Sequence, residues 1–306
     1  MSEVPVFGGR PGAESTIVIT DSGLGGLLVF AELERRLRAA GAGGAVRLVY
    51  VNAWPDARYG YNDLPDIAAR ATVLDRALAA MTSFLPGLIL IACNTLSVVY
   101  EATAFSRAPA APVVGILDEG ADLFSEALAL DPSGVLVLFG TRTTIGSGEH
   151  IRRLARRGIG PQRIFTEACH GLAAAIDKDP ASAALPGLVE SCVLRVVPRL
   201  PAVVPLYVGL ACTHYAYVAD AFRRSLGNHT GARIDILDPG GRLVDGLMHR
   251  LSGLRPESAK GAVMVEVVSK VELPDAQRRA VARRIESVSP GAALALINYR
   301  RIPDLF

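Results

Sequence analysis

The sequence has few cysteines and no cysteine pair. Its four thiols, Cys93, Cys169, Cys192 and Cys212, stand far apart in 306 residues, with no C-x-x-C spacing. Zinc-ligand spacing is therefore absent, and a disulfide framework does not fit a chain of this length without an export signal. Neither sign of charge is in excess: Lys plus Arg number 32 and Asp plus Glu 30, a net charge of +2. No basic stripe interleaved with aromatics is present, so there is no electrostatic footprint for nucleic acid. Arg152, Arg153, Arg156 and Arg157 share helical spacing and read as a solvated helix face. Long apolar runs are missing too. Leu85 to Ala92 is broken by Pro86 and Gly87 and is too short for a bilayer. The N-terminal MSEVPVFGGRPGAES lacks the basic start and apolar run of a signal peptide and reads as a flexible tail. A cytoplasmic setting, with no nucleic-acid and no membrane partner, is expected.

What is present is a rhythm of short apolar strands and longer helical stretches. The strand runs include Ile17 to Thr20, Leu48 to Val51, Leu88 to Ile91, Val113 to Ile116, Val135 to Leu138 and Leu206 to Leu210. Leu27 to Leu37 and Ile67 to Met81 have helical periodicity. Buried strands alternating with helices indicate parallel sheets covered on both faces, an α/β, doubly wound class. From about Glu257 the pattern changes: Val263 to Val268 alternates like a strand, Pro274 to Ser287 looks helical, and Ala292 to Asn298 reads as a second strand. This predicts a small βαβ-like extension. It must bury its apolar face on the outside of the first domain or on a partner subunit, in a homodimer, away from the site.

A weak internal repeat organises the rest. One half has a strand ending in Asp21-Ser22-Gly23-Leu24-Gly25-Gly26 and a later one ending in Ala92-Cys93-Asn94-Thr95. The other half has Gly140-Thr141-Arg142-Thr143-Thr144 and then Ala211-Cys212-Thr213-His214. The intervals Asp21 to Cys93 and Thr141 to Cys212 are nearly equal, 72 and 71 residues. Ligands of open α/β sheets bind at strand C-termini. Two similar domains facing each other would form an interdomain cleft with one cysteine on each wall.

The glycine turn after Asp21 is not a dinucleotide fingerprint, because position 28 is Leu and the next strand ends in Asn52 rather than an acid. It suits a small anion held by backbone N–H groups, with Asp21 and Ser22 lining the cleft. A cysteine in a donor-rich turn at a helix start is expected to have a thiol pKa below about 8.5. Two such groups suit proton transfer on opposite faces of one carbon, one removing the α-proton of an amino acid while the other returns a proton. Adjacency to Cys212 brings His214 into this constellation. Cys192, His150, His229 and His249 read as structural, and His170, beside Cys169, is left unassigned.

The strings IVITDSGLGGL, YVNAWPDARYGYNDLP, IACNTLS, GTRTTIGSG and LACTHY together resemble the ordered motifs of glutamate racemases, within the aspartate/glutamate racemase superfamily, from about residue 17 to 250. The resemblance implies Cys93 and Cys212 as catalytic cysteines, Asp21 assisting the first, and His214 with Asp177 assisting the second. It implies Ser22, Tyr59, Gly60, Asn94, Thr95, Thr141, Thr144 and Thr213 as substrate-binding positions, and no cofactor and no metal. Its domains would be 1–112 with 226–306, and 113–225. The chain departs from the pattern at Arg58, where Pro is usual, and at Asp177, where Glu is usual. Those changes bear on which acidic amino acid is the substrate. Other readings stay open: an aspartate racemase, decarboxylase or isomerase on the same scaffold, or a non-catalytic protein that binds a small anion.

Overall fold

A computed structural model describes residues 15–41, 46–202, 204–252 and 262–306. The expected N-terminal tail, residues 1–14, and the start of the extension lie outside the described residues. Among the described residues ten strands form: β1 (Ser15–Asp21), β2 (Val46–Asn52), β3 (Leu88–Ile91), β4 (Val113–Gly115), β5 (Val135–Gly140), β6 (Ile164–Ala168), β7 (Leu206–Ala211), β8 (Ile234–Leu237), β9 (Val263–Ser269) and β10 (Arg300–Arg301). They build a six-stranded sheet, ordered β10-β9-β2-β1-β3-β4, and a four-stranded sheet, ordered β6-β5-β7-β8. Every pairing is parallel. Without β9 and β10 the two sheets have the same order, β2-β1-β3-β4 matching β6-β5-β7-β8, so the repeat in sequence is a repeat in topology.

Twelve α-helices among the described residues cover them: α1 (Leu27–Ala39), α2 (Ile67–Met81), α3 (Asn94–Tyr100), α4 (Ile116–Leu130), α5 (Arg142–Ser147), α6 (Glu149–Arg156), α7 (Leu172–Lys178), α8 (Leu185–Val196), α9 (Ala219–Thr230), α10 (Pro239–Ser252), α11 (Asp275–Ile285) and α12 (Pro290–Ile297). Side chains of a strand alternate between faces. Ile17 and Ile19 of β1 and Val137 and Phe139 of β5 enter one core shared by both sheets. Val18 instead packs with α2 residues such as Leu74 and Leu78, while Leu136 and Leu138 pack with Phe124 of α4. The mixed α/β class with two parallel sheets stands.

Several details differ from the sequence expectations. Val113 to Gly115 pairs with β3 and stays in the first sheet, so the chain crosses after Gly115 rather than at 113. On the return, β8 pairs with β7 and belongs to the second sheet, which carries that sheet past 226 to Leu237. An apolar run declares a strand but not its partner, and both expected boundaries are one strand early. Residues 292–298 do not form a strand. The Ser289 hydroxyl accepts the Ala292 N–H at 2.9 Å and Pro290 opens α12, which sets a helix start. The second strand of the extension is only Arg300–Arg301, and β9 joins the first sheet beside β2. Arg153 is not simply solvated: it pairs with Glu101, Asp118 and Glu149, and Arg157 pairs with Asp122. Among the described residues no helix is long and apolar enough to cross a membrane.

Candidate active site

The C-terminal ends of β1, β3, β5 and β7 converge on a cavity of about 130 Å³ between the sheets. Cys93 and Cys212 both line it, one from the end of each sheet. Cys93 ends the β3 segment in extended conformation and caps α3, its Sγ accepting the Leu96 N–H at 3.4 Å. Ser22 Oγ lies 3.2 Å from the same sulfur. Cys212 follows β7 and precedes a 3₁₀ turn, Thr213–Val218, rather than an α-helix.

Behind Cys212 stands a chain of polar groups. Its Sγ is 3.7 Å from Nδ1 of His214, and His214 Nε2 is 2.9 Å from Oδ1 of Asp177. The same Asp177 oxygen accepts the Leu24 N–H at 2.8 Å, from the glycine turn of the other half. Gly25 makes this approach sterically feasible, since a Cβ there would lie 2.5 Å from His214 Nδ1 and 2.6 Å from Thr213 Oγ1. Buried tyrosines hold the turn: Tyr50 donates to the Gly23 carbonyl at 2.7 Å and Tyr217 to that of Leu24 at 3.4 Å.

The two walls differ electrostatically. Burial pushes the Cys93 thiol well above its usual range, and the nearby Asp21 carboxyl adds to the shift. The lowered thiol pKa expected from the helix start does not occur, because burial outweighs the Ser22 and Leu96 hydrogen bonds. His214 is the opposite case. Burial works against its protonation, but Asp177 and Cys212 together raise its pKa well above the ordinary imidazole value. Protonation of the ring, favoured in this way, would set a positive charge beside the Cys212 sulfur.

Ser22, Gly60, Asn94, Thr95, Thr141, Asp177 and His214 also line the cavity. Thr144 stands one layer behind, its hydroxyl 3.2 Å from that of Thr95 and 3.0 Å from that of Thr141. Asp21 and Thr213 are buried and do not line it; Thr213 donates to Asp21 Oδ2 at 2.8 Å. Burial raises the Asp21 pKa, and its Oδ1 has no partner. Its closest polar partner is thus on the other wall, and Ser22 is the group against Cys93. Tyr59 is 36% exposed and does not line the cavity; Tyr61, two residues on, is buried and lines it instead. Both positions lie in the same aromatic-rich loop, and only its path separates them.

Sequence reasoning missed other lining groups: Trp54, Asn62, Asp63, Arg142, Cys169 and His170. Arg142 sits inside the quoted GTRTTIGSG string, and its Nη2 lies 3.2 Å from Nδ1 of His170. Arg58, by contrast, pairs with Asp56 at 3.0 Å on the surface and is no part of the cavity. His150 was not expected to matter. It is buried, and its Nε2 lies 3.1 Å from Asn94 Oδ1, which leaves Asn94 Nδ2 buried and without a partner. Burial lowers the His150 pKa to about 4. Asn52 is turned to structure, bonding Ser269 of β9 at 3.1 Å. Among the described residues no cluster of three or more His, Cys, Asp or Glu could hold a metal ion.

Fold and site together define an α/β protein with two parallel sheets and a cysteine from the end of each on one small cleft. The chain belongs to the Asp/Glu/Hydantoin racemase family, which matches residues 20–245. It is an isomerase of the amino-acid racemase type. The glutamate racemase of Ruegeria sp. strain TM1040 is 32% identical, covering 79% of this chain and 87% of that protein. Glutamate racemase isoform RacE1 from Bacillus anthracis has a similar fold, with TM-score 0.65 at 20% identity over 88% of this chain and 93% of the other. Escherichia coli glutamate racemase, solved with L-glutamate and the activator UDP-MurNAc-ala, gives TM-score 0.64 at 21% identity over 89% and 96%.

Proposed function

We propose that the chain racemises glutamate by two-base proton transfer between Cys93 and Cys212, without cofactor or metal. The observation that carries this is the presence of both sulfurs, from opposite sheets, on one small cavity. One sulfur, as thiolate, takes the α-proton from one face of the substrate. The other, as thiol, delivers its proton to the opposite face, and the two exchange roles for the mirror-image substrate. Burial favours protonated Cys93, which suits it as the donor, while protonation of His214 would balance charge on Cys212. The carbanion-like transition state gains from donors already in place: Asn94 Nδ2, the threonine hydroxyls and Arg142. Those groups also suit the two carboxylates of an acidic amino acid. A cytoplasmic setting belongs to the same reading, as does a homodimer as the assembly.

The test is incubation of the purified protein with L- and D-amino acids in deuterated water. Glutamate should gain α-deuterium and racemise faster than aspartate or any neutral amino acid. Decarboxylation, or the absence of α-exchange with every acidic substrate, would overturn the proposal.

A further inference from the structure

The C-terminal extension was expected to keep away from the site, yet α11 packs against α7 and reaches the acid behind His214. Gln277 Nε2 is 2.6 Å from Oδ2 of Asp177. A carboxylate only accepts hydrogen bonds, so the side-chain amide must present its N–H to this oxygen. We infer that Gln277 is a positioning residue for the Cys212 wall, aiming the Asp177 carboxylate at His214. This inference rests on the two-base reading.

The geometry supports it in three ways. First, the other two donors, Leu24 N–H and His214, both meet Oδ1, so Gln277 is the described partner of Oδ2 and fixes rotation about the Cβ–Cγ bond. Second, Asp177 lines a second cavity as well, of about 580 Å³, whose lining includes Trp54, Lys178, Gln277 and Arg283. Without the amide, water from that cavity could replace a fixed donor at Oδ2. Third, the side chain at 177 is one methylene shorter than the glutamate expected from the resemblance, so it reaches less far from α7 and gains more from an external support. Gln277 lies beyond the stretch matched by the family, residues 20–245, so the support comes from a different part of the chain than the acid it holds.

Two variants test the inference, read with α-deuterated L- and D-substrate. Gln277→Met keeps the side chain's length but removes the donor. Gln277→Ala removes the group. Both should lower kcat by roughly tenfold with little change in KM, the scale of one hydrogen bond to a charged group. The primary isotope effect should rise for the enantiomer deprotonated by Cys212 and fall for its mirror image, because only that wall has lost its support. Thermal melting of the Met variant should stay close to that of the unmodified protein. An isotope effect that moves equally in both directions, or kinetics like those of the unmodified protein, would overturn the inference. A failure of the unmodified protein to racemise would instead sink the two-base reading, so the two failures are distinguishable.

Discussion

The two walls of the cleft are built on the same plan and equipped differently. Each has a parallel strand ending in a cysteine beside a polar turn, β3 with the Asp21 turn and β7 with the Thr141 turn. The Cys93 wall relies on backbone and hydroxyl: a helix N-terminus and Ser22, with no imidazole bonded to the sulfur among the described residues. The Cys212 wall relies on a charged series, His214 then Asp177 then Gln277. Topology is thus repeated while electrostatics are not. Burial favours the protonated form of one sulfur, and the other faces an imidazole whose pKa its neighbours raise. Equivalent positions in a duplicated fold need not be equivalent chemically.

The largest effect should come from removing a wall. Cys93→Ala and Cys212→Ala should each lower racemisation by about 10²–10⁴ or more, the range for loss of a general acid–base group. Each variant keeps one sulfur, so each should incorporate deuterium with retention into one enantiomer, and the two should favour opposite enantiomers. Racemisation near the unmodified rate by either variant would remove the comparison altogether.

A middle-sized effect concerns the shoring of the Cys93 wall by His150. Its pKa is lowered from the ordinary 6.5 to about 4 by burial, so the unfolded chain binds a proton more readily than the folded one between those values. Stability from the neutral ring is complete above about pH 6.5 and is lost as pH falls towards about 4. The loss between pH 7.5 and 4.5 should be about 2–3 kcal/mol. His150→Gln, which keeps a donor for Asn94 and does not titrate, should flatten that part of the curve in urea titrations at the two pH values. An unchanged slope would show that His150 is not the source.

The smallest effect is expected at Arg58, which belongs to neither wall. Its side chain is 82% exposed and pairs with Asp56, and exposed pairs of this kind count for little. Arg58→Ala should leave kcat and KM for glutamate within about twofold. A larger change in KM would return this loop to the substrate and extend the comparison beyond the two walls.

Much of this arrangement was legible in the sequence because it is local. A β-branched run followed at once by Cys-Asn-Thr or Cys-Thr-His declares a strand end and a polar turn, and nearly equal intervals pair the turns. What escaped depends on partners distant in the chain. Val113 to Gly115 reads as a strand, but pairing with β3 rather than with the second sheet is a tertiary choice. The segment 292–298 is a short apolar run without a period, and its capping Ser289 and Pro290 were the signals to weigh. Tyr59 and Tyr61 have the same chemistry two residues apart, and the loop path decides which one faces inward. The displaced thiol pKa at Cys93 follows from complete burial, which no turn motif reports. Gln277 lies 100 residues from Asp177 in an unremarkable helix, and nothing near it in sequence points to an acid.

The bond from the Leu24 N–H to Asp177 joins the two halves of the molecule, as does the one from Thr213 to Asp21. Any hinge motion that parts the sheets to exchange ligand must break these links first. In such a motion Asp177 would lose an anchor as the halves part and regain it as they meet, so the bond between the halves would couple the setting of His214 to closure of the cleft.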